Sequence, residues 1–108
     1  HILIAPYRHV PSLVDLDDEE LKEMGVVIKL MLRTLSTAMS PDGFNIGVNI
    51  GRVAGAGVED HVHVHVVPRW CGDANFMPVV AETKVIPEAL EDTYRRIRRA
   101  LEQVLAQT

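Results

Sequence analysis

Residues 59–70 read EDHVHVHVVPRW, from Glu59 to Trp70. Three of the chain's five histidines fall here, His61, His63 and His65, each followed by a valine. Residues two apart on an extended strand share a face. The alternation therefore predicts a strand with three imidazoles on one side and Val62, Val64 and Val66 on the other. The valines suit a core. A row of imidazoles is costly to bury without partners, so its side must front a polar site or solvent.

Two chemistries compete for such a row. Neutral imidazole is a common zinc ligand. Three successive same-face positions, however, span about 13 Å, which strains the outer rings toward a single ion. The other chemistry is covalent catalysis at phosphorus. A neutral ring nitrogen is a nucleophile, provided that its second nitrogen is held in the right tautomer and that neighbouring donors meet the phosphate and leaving oxygens. A central ring with one on each side supplies those parts.

Outward from the histidines, FNIGVNIG (44–51) also has period two. Phe44, Ile46, Val48 and Ile50 point one way, and Asn45, Gly47 and Asn49 the other. Glycine inside a strand marks a close approach to the backbone. RVAGAGVED (52–60) is a Gly-rich connection without the Gly-Lys-Ser/Thr of a phosphate-binding P-loop. Ile2 to Ala5 predict a short strand closed by Pro6. Asp17 with Glu20 is a near capping box. Leu21, Met24, Ile28, Met31, Leu32, Leu35 and Met39 follow at helical steps, giving a helix of about 22 residues and roughly 33 Å that ends at Pro41-Asp42-Gly43. Pro87 at the first helical position, then Glu88, Glu91 and Asp92, predicts a last helix. Its apolar stripe is Leu90, Tyr94, Ile97, Leu101 and Val104, with Arg95, Arg96, Arg98 and Arg99 on the solvated side.

The 108 residues are enough for one domain with a core. The net charge of −4 offers nucleic acid or an anionic membrane no attraction. No apolar run approaches the length of a membrane span, and HILIAPYRHV lacks the charged leader and cleavage site of a signal peptide. The single cysteine, Cys71, cannot form an internal disulfide. It fits a reducing compartment, so a cytoplasmic setting is expected. A first residue that is not methionine suggests a trimmed or partial form of something longer.

HVHVHVVPR (61–69) resembles the signature of the histidine triad (HIT) family, histidines alternating with apolar residues. ILIAPYRHV (2–10) resembles the strand and loop that carry a fourth active-site histidine there, FNIGVNIGRVAGAG (44–57) resembles its preceding strand and Gly-rich turn, and RWCGDANFMPVVAETKVIP (69–87) resembles the branch acting on diadenosine tetraphosphate as phosphorylase or hydrolase. The resemblance implies an α+β fold: an antiparallel sheet, one long helix and a C-terminal helix, with part of the family domain before residue 1 absent from the chain. It implies His63 as the nucleophile at an α-phosphorus, His65 on the phosphate and leaving oxygen, His61 as the orienting ring and His9 as a supporting group. Asn49 stands near the family's phosphate-contacting Asn or Gln; Gly55, Gly57 and Arg69 are further phosphate or nucleotide candidates, Arg69 with a plain surface charge as its alternative.

Many members carry Gln then Ser or Thr after the glycine turn, where this chain has Val58 and Glu59. Backbone N–H groups around Gly55 to Gly57 must then serve. Arg52 and Lys84 are further phosphate candidates. Trp70, Phe76 and Tyr7 are expected to pack, and Cys71 to be incidental. No tightly bound cofactor is implied, and any Mg²⁺ would travel with the polyphosphate. A homodimer is implied, and no nucleic-acid or membrane partner. The rivals are an adenosine phosphoramidase, a nucleotide-binding module with little turnover, and a histidine-metal protein.

Overall fold

The computed structural model describes residues 1–56, 61–73 and 89–107. The chain begins with strand β1 (Ile2–Ile4) and a single 3-10 turn at Leu13–Asp15. Helix α1 (Asp18–Met39), strand β2 (Gly43–Val48), a second 3-10 turn at Arg52–Ala54, strand β3 (Val64–Arg69) and helix α2 (Leu90–Ala106) follow. Among the described residues the sheet has the order β1-β3-β2, and both pairings are antiparallel. The histidine strand therefore lies in the middle, flanked on both sides. The architecture is the α+β arrangement that the sequence implies.

Helix α1 starts where its acids dictate. Asp17 accepts a hydrogen bond from the Glu20 N–H at 2.8 Å, and Glu20 accepts one from the Asp17 N–H at 3.0 Å, a complete capping box. The helix runs 22 residues and stops when Ser40 turns left-handed, with φ 46°. Its inner face carries Met24 and Leu35, which pack with Ile4, Leu16, Val64 and Val66, and with Ile28, Met31, Leu32, Met39, Phe44 and Val48 around them. This is the valine side of β3. Leu21, expected on the inner stripe, is exposed.

Helix α2 corrects two expectations. Ala89 is extended, with ψ 138°, so the described helix opens at Leu90, later than expected; Pro87 and Glu88 lie outside the described residues. Only the later part of the stripe is covered: Val104 is buried and Ile97 and Leu101 half-buried, whereas Leu90 and Tyr94 are 84% and 62% exposed; Ala100, outside the stripe, is buried as well. Among the basic side chains, Arg96 donates to the Ala38 carbonyl at 2.9 Å, near the carbonyl-rich end of α1. No helix among the described residues is long and apolar enough to cross a membrane.

Candidate functional site

The alternation places the triad as expected. Val62, Val64 and Val66 are buried on one side. Regular β3 begins only at Val64, so His65 lies within the ladder while His61 and His63 precede it. Val62 extends the run by donating its N–H to the Val10 carbonyl at 2.7 Å. In register, His65 stands between Leu3 on β1 and Gly47 on β2. Gly47 presents no side chain to the ring on that face.

The rings form two groups, His9 with His61 and His63 with His65 and His1, joined by the backbone between His61 and His63. His9 stacks on His61 with centroids 4.3 Å apart and planes 19° from parallel. His63 meets His65 edge-on at 4.8 Å, and His65 meets His1 at 5.0 Å. Hydrogen bonds fix the tautomers of two members. The His61 Nε2–H donates to the Pro6 carbonyl at 2.9 Å. The His63 Nδ1–H donates to the His61 carbonyl at 3.1 Å. A carbonyl can only accept, so neutral His63 carries its proton on Nδ1 and keeps a lone pair on Nε2.

His65 is the buried member, 8% exposed. Its Nδ1 lies 2.8 Å from His1 Nε2. Its Nε2 is buried and finds no partner among the described residues. Burial first, then the charge that His63 would carry, holds its pKa below the ordinary imidazole value. A buried polar atom without a partner costs free energy, and an arriving ligand oxygen would satisfy it.

The structure thus brings His9, His61, His63 and His65 together, and adds His1, which the sequence reading passed over as the start of a strand. Its signal was there: His1 is two residues before Leu3 on β1, hence on the face where Leu3 pairs with His65. Reading it required the strand register.

The phosphate candidates divide. Asn49 donates through Nδ2 to the Gly55 carbonyl at a long 3.5 Å, bracing the glycine turn. Gly51 and Gly55 have φ of 84° and 94°, conformations that glycine adopts freely. The Gly55 N–H donates to the Arg52 carbonyl at 3.0 Å and the Ala56 N–H to the Gly51 carbonyl at 3.2 Å, so both donors are engaged inside the turn. Gly57, Val58 and Glu59 lie outside the described residues, as do Phe76 and Lys84. Arg69 forks onto Asp73, with contacts of 2.6 and 2.8 Å, and also donates to Asn45. It stands four residues beyond His65 on β3, about 13 Å along the strand, and ties down the turn after it.

Tyr7, expected to pack, is fully exposed, because the loop that carries it turns its tip to solvent; Trp70 is exposed as well. The Cys71 thiol is pushed up in pKa by its hydrogen bond to the Asp42 carboxylate, the opposite of activation. Among the described residues no three of His, Cys, Asp and Glu converge to hold a metal ion.

Comparison with known proteins bears on this geometry. The family model described as HIT domain matches residues 1–71. An AP-4-A phosphorylase of Mycobacterium tuberculosis (strain CDC 1551 / Oshkosh) is 45% identical over 95 residues, 88% of this chain and 49% of that protein. The asymmetrical bis(5'-nucleosyl)-tetraphosphatase of Schizosaccharomyces pombe is 38% identical over 73 residues, 68% of this chain and 40% of that protein. The chain thus spans about half the length of the curated relatives it matches, or less. Among solved structures, a Zn-bound histidine triad family protein from Mycobacterium smegmatis superposes with a TM-score of 0.79 at 31% identity, covering 98% of this chain and 71% of that one.

Proposed function

This chain belongs to the HIT domain family, and on that premise we propose that it cleaves dinucleoside polyphosphates at an α-phosphorus through a nucleotidyl-histidine intermediate. The observation that carries the reading is the hydrogen bond from His63 Nδ1–H to the His61 carbonyl, which leaves Nε2 of His63 as the free nucleophile. The names of the relatives support the substrate class.

In the proposed reaction, the Nε2 lone pair of His63 forms a bond to the α-phosphorus while the bond from phosphorus to the bridging oxygen breaks. The electron pair leaves with that oxygen. The Nε2–H of neutral His65 donates a hydrogen bond to that oxygen, which departs as the nucleoside polyphosphate anion, and the buried nitrogen gains the partner it lacks. His61, held by Pro6 and covered by His9, keeps its own backbone carbonyl in place as acceptor for the His63 Nδ1–H. A second nucleophile then attacks phosphorus, and the pair returns to Nε2 of His63. The phosphorylase relative favours inorganic phosphate in that role; water is the alternative. Any Mg²⁺ rides on the polyphosphate, and no residue of the chain is assigned to it.

Two measurements test this. Mass spectrometry of protein quenched during turnover of diadenosine tetraphosphate should trap an AMP adduct that is absent in His63→Ala. With phosphate supplied, ADP and ATP should appear; AMP and ATP alone would assign water as acceptor. Binding without either product would leave a nucleotide-binding module, and turnover of an adenosine phosphoramidate alone would leave a phosphoramidase. The reading also carries a homodimer, with the long helix and the sheet edge as contact surfaces; among the described residues β2 is an edge strand and its Ile46 is exposed, and a monomeric mass by light scattering would remove that part.

A further inference from the structure

The loop between β1 and the first 3-10 turn does two things for the histidine row. Its Pro6 carbonyl receives the His61 Nε2–H, and its His9 ring covers His61. Little apolar burial holds the tip in place, since Tyr7, Arg8 and His9 are all exposed. One end is pinned where the Val10 carbonyl accepts the Val62 N–H. At the tip, Arg8 reaches across to α1. Its Nε donates to Glu20 Oε2 at 2.9 Å, and its Nη2 donates to Glu20 Oε1 at 2.6 Å and to the Asp15 carbonyl at 2.8 Å.

We infer that Arg8 is a positioning residue for the proposed reaction: forked onto Glu20, it fixes the loop so that Pro6 and His9 hold His61, whose carbonyl in turn sets the tautomer of His63. The acceptor is itself held from a second side. Glu20 is the third residue of α1 and half of its capping box, with Oε1 also accepting the Asp17 N–H. A guanidinium fork onto a carboxylate fixes direction as well as distance, which a single surface contact does not. The pair also persists over any assay range: the Arg8 hydrogen bond first, then the Asp17 N–H, holds the Glu20 carboxyl down at about 2. A carboxyl with a lowered folded pKa contributes fully above its unfolded value and loses that contribution as pH falls through about 2.

The activity arm of the test rests on the proposed function; the spectroscopic arm does not. Arg8→Met keeps the aliphatic stem and leaves the capping box intact while removing the fork. In the nucleotide-free protein its His9 and His61 ring resonances should move, with those of His1 unmoved. Misplacement of an orienting group costs on the order of ten- to a hundredfold in rate, so kcat should fall by at least about tenfold with KM within about twofold. Arg8→Lys should fall between, and Arg8→Met with Glu20→Gln should be no worse than Arg8→Met alone. Unmoved His9 and His61 resonances in a folded variant, or losses that multiply in the double variant, would overturn the inference. Should Arg8→Met not fold, Arg8→Lys and Glu20→Gln carry the same resonance comparison. A wild-type chain that turns over no nucleotide would defeat the proposed function, while the resonances still decide the role of Arg8.

Discussion

The Nε2 of His1 lies 2.8 Å from the Nδ1 of His65. This is the hydrogen bond that the structure gives the buried ring, since His65 Nε2 has no partner among the described residues. It joins an exposed imidazole to the one that the proposed reaction uses as hydrogen-bond donor to the leaving oxygen. His1→Ala leaves both nitrogens of His65 without that support. Stranding a buried polar group costs about 1–3 kcal/mol, and the donor tautomer is no longer held. The expected outcome is a lowered Tm together with a kcat about tenfold lower or more. His1→Gln, which can still place an amide near Nδ1, should recover part of both. A kcat unchanged in His1→Ala would show that His65 needs no partner.

His65 also sets a pH dependence. Burial, then the charge of His63, lowers its pKa below 6.5. In the unfolded chain the same group protonates near 6.5. Between the two values the unfolded state holds more protons than the folded one, so stability rises with pH across that window. It is complete above 6.5 and is lost as pH falls toward the folded value. Thermal melts from about pH 7.5 to about pH 5.5 should record a falling Tm in the wild type and a shallower fall in His65→Asn. Equal slopes would mean that the ring titrates as freely as in the unfolded chain.

The parts of this molecule that follow from short-range rules were legible in its sequence. The capping box at Asp17 and Glu20, the 22 residues of α1 and the histidine–valine alternation all emerge from spacing along one element. What escaped depends on contacts between elements. His1 joins the site through the pairing of Leu3 with His65. Arg69 looked like a free cation near the triad but meets Asp73 four residues on and Asn45 across the sheet. Tyr7 looked like a packing aromatic but sits on a loop whose tip is tied down by charge. The first turn of α2 lies at Leu90, after an extended Ala89, because a proline is compatible with a helix start without enforcing one.

The core under the site gives a control that involves no histidine. Leu35 is fully buried and packs in the cluster that holds Val64 and Val66 against α1. Leu35→Ala removes three carbons from a closed interior, and such truncations cost about 2–5 kcal/mol. Denaturant unfolding should report a loss of that size. A loss below about 1 kcal/mol would indicate that helix and strand are not packed as described.

Gly47 separates activity from stability in the opposite sense. It pairs with His65 in the antiparallel register of β2 and β3. Side chains at directly opposed positions stand on one face with Cβ atoms about 4.5–5.5 Å apart, so any group added at 47 rises beside the His65 imidazole. Glycine inside a strand otherwise weakens it, by roughly 0.5–1 kcal/mol relative to alanine. Gly47→Ala and Gly47→Val therefore combine a gain in strand propensity with crowding of the ring. Crowding turns His65 away from the position where its Nε2 meets the leaving oxygen, without unfolding the sheet. Tm should hold within about 5 °C, while kcat/KM falls by about tenfold for alanine and further for valine, since small misplacements of a catalytic group are expensive in rate. Retained activity in a folded Gly47→Val would mean that the His65 face is not where substrate sits.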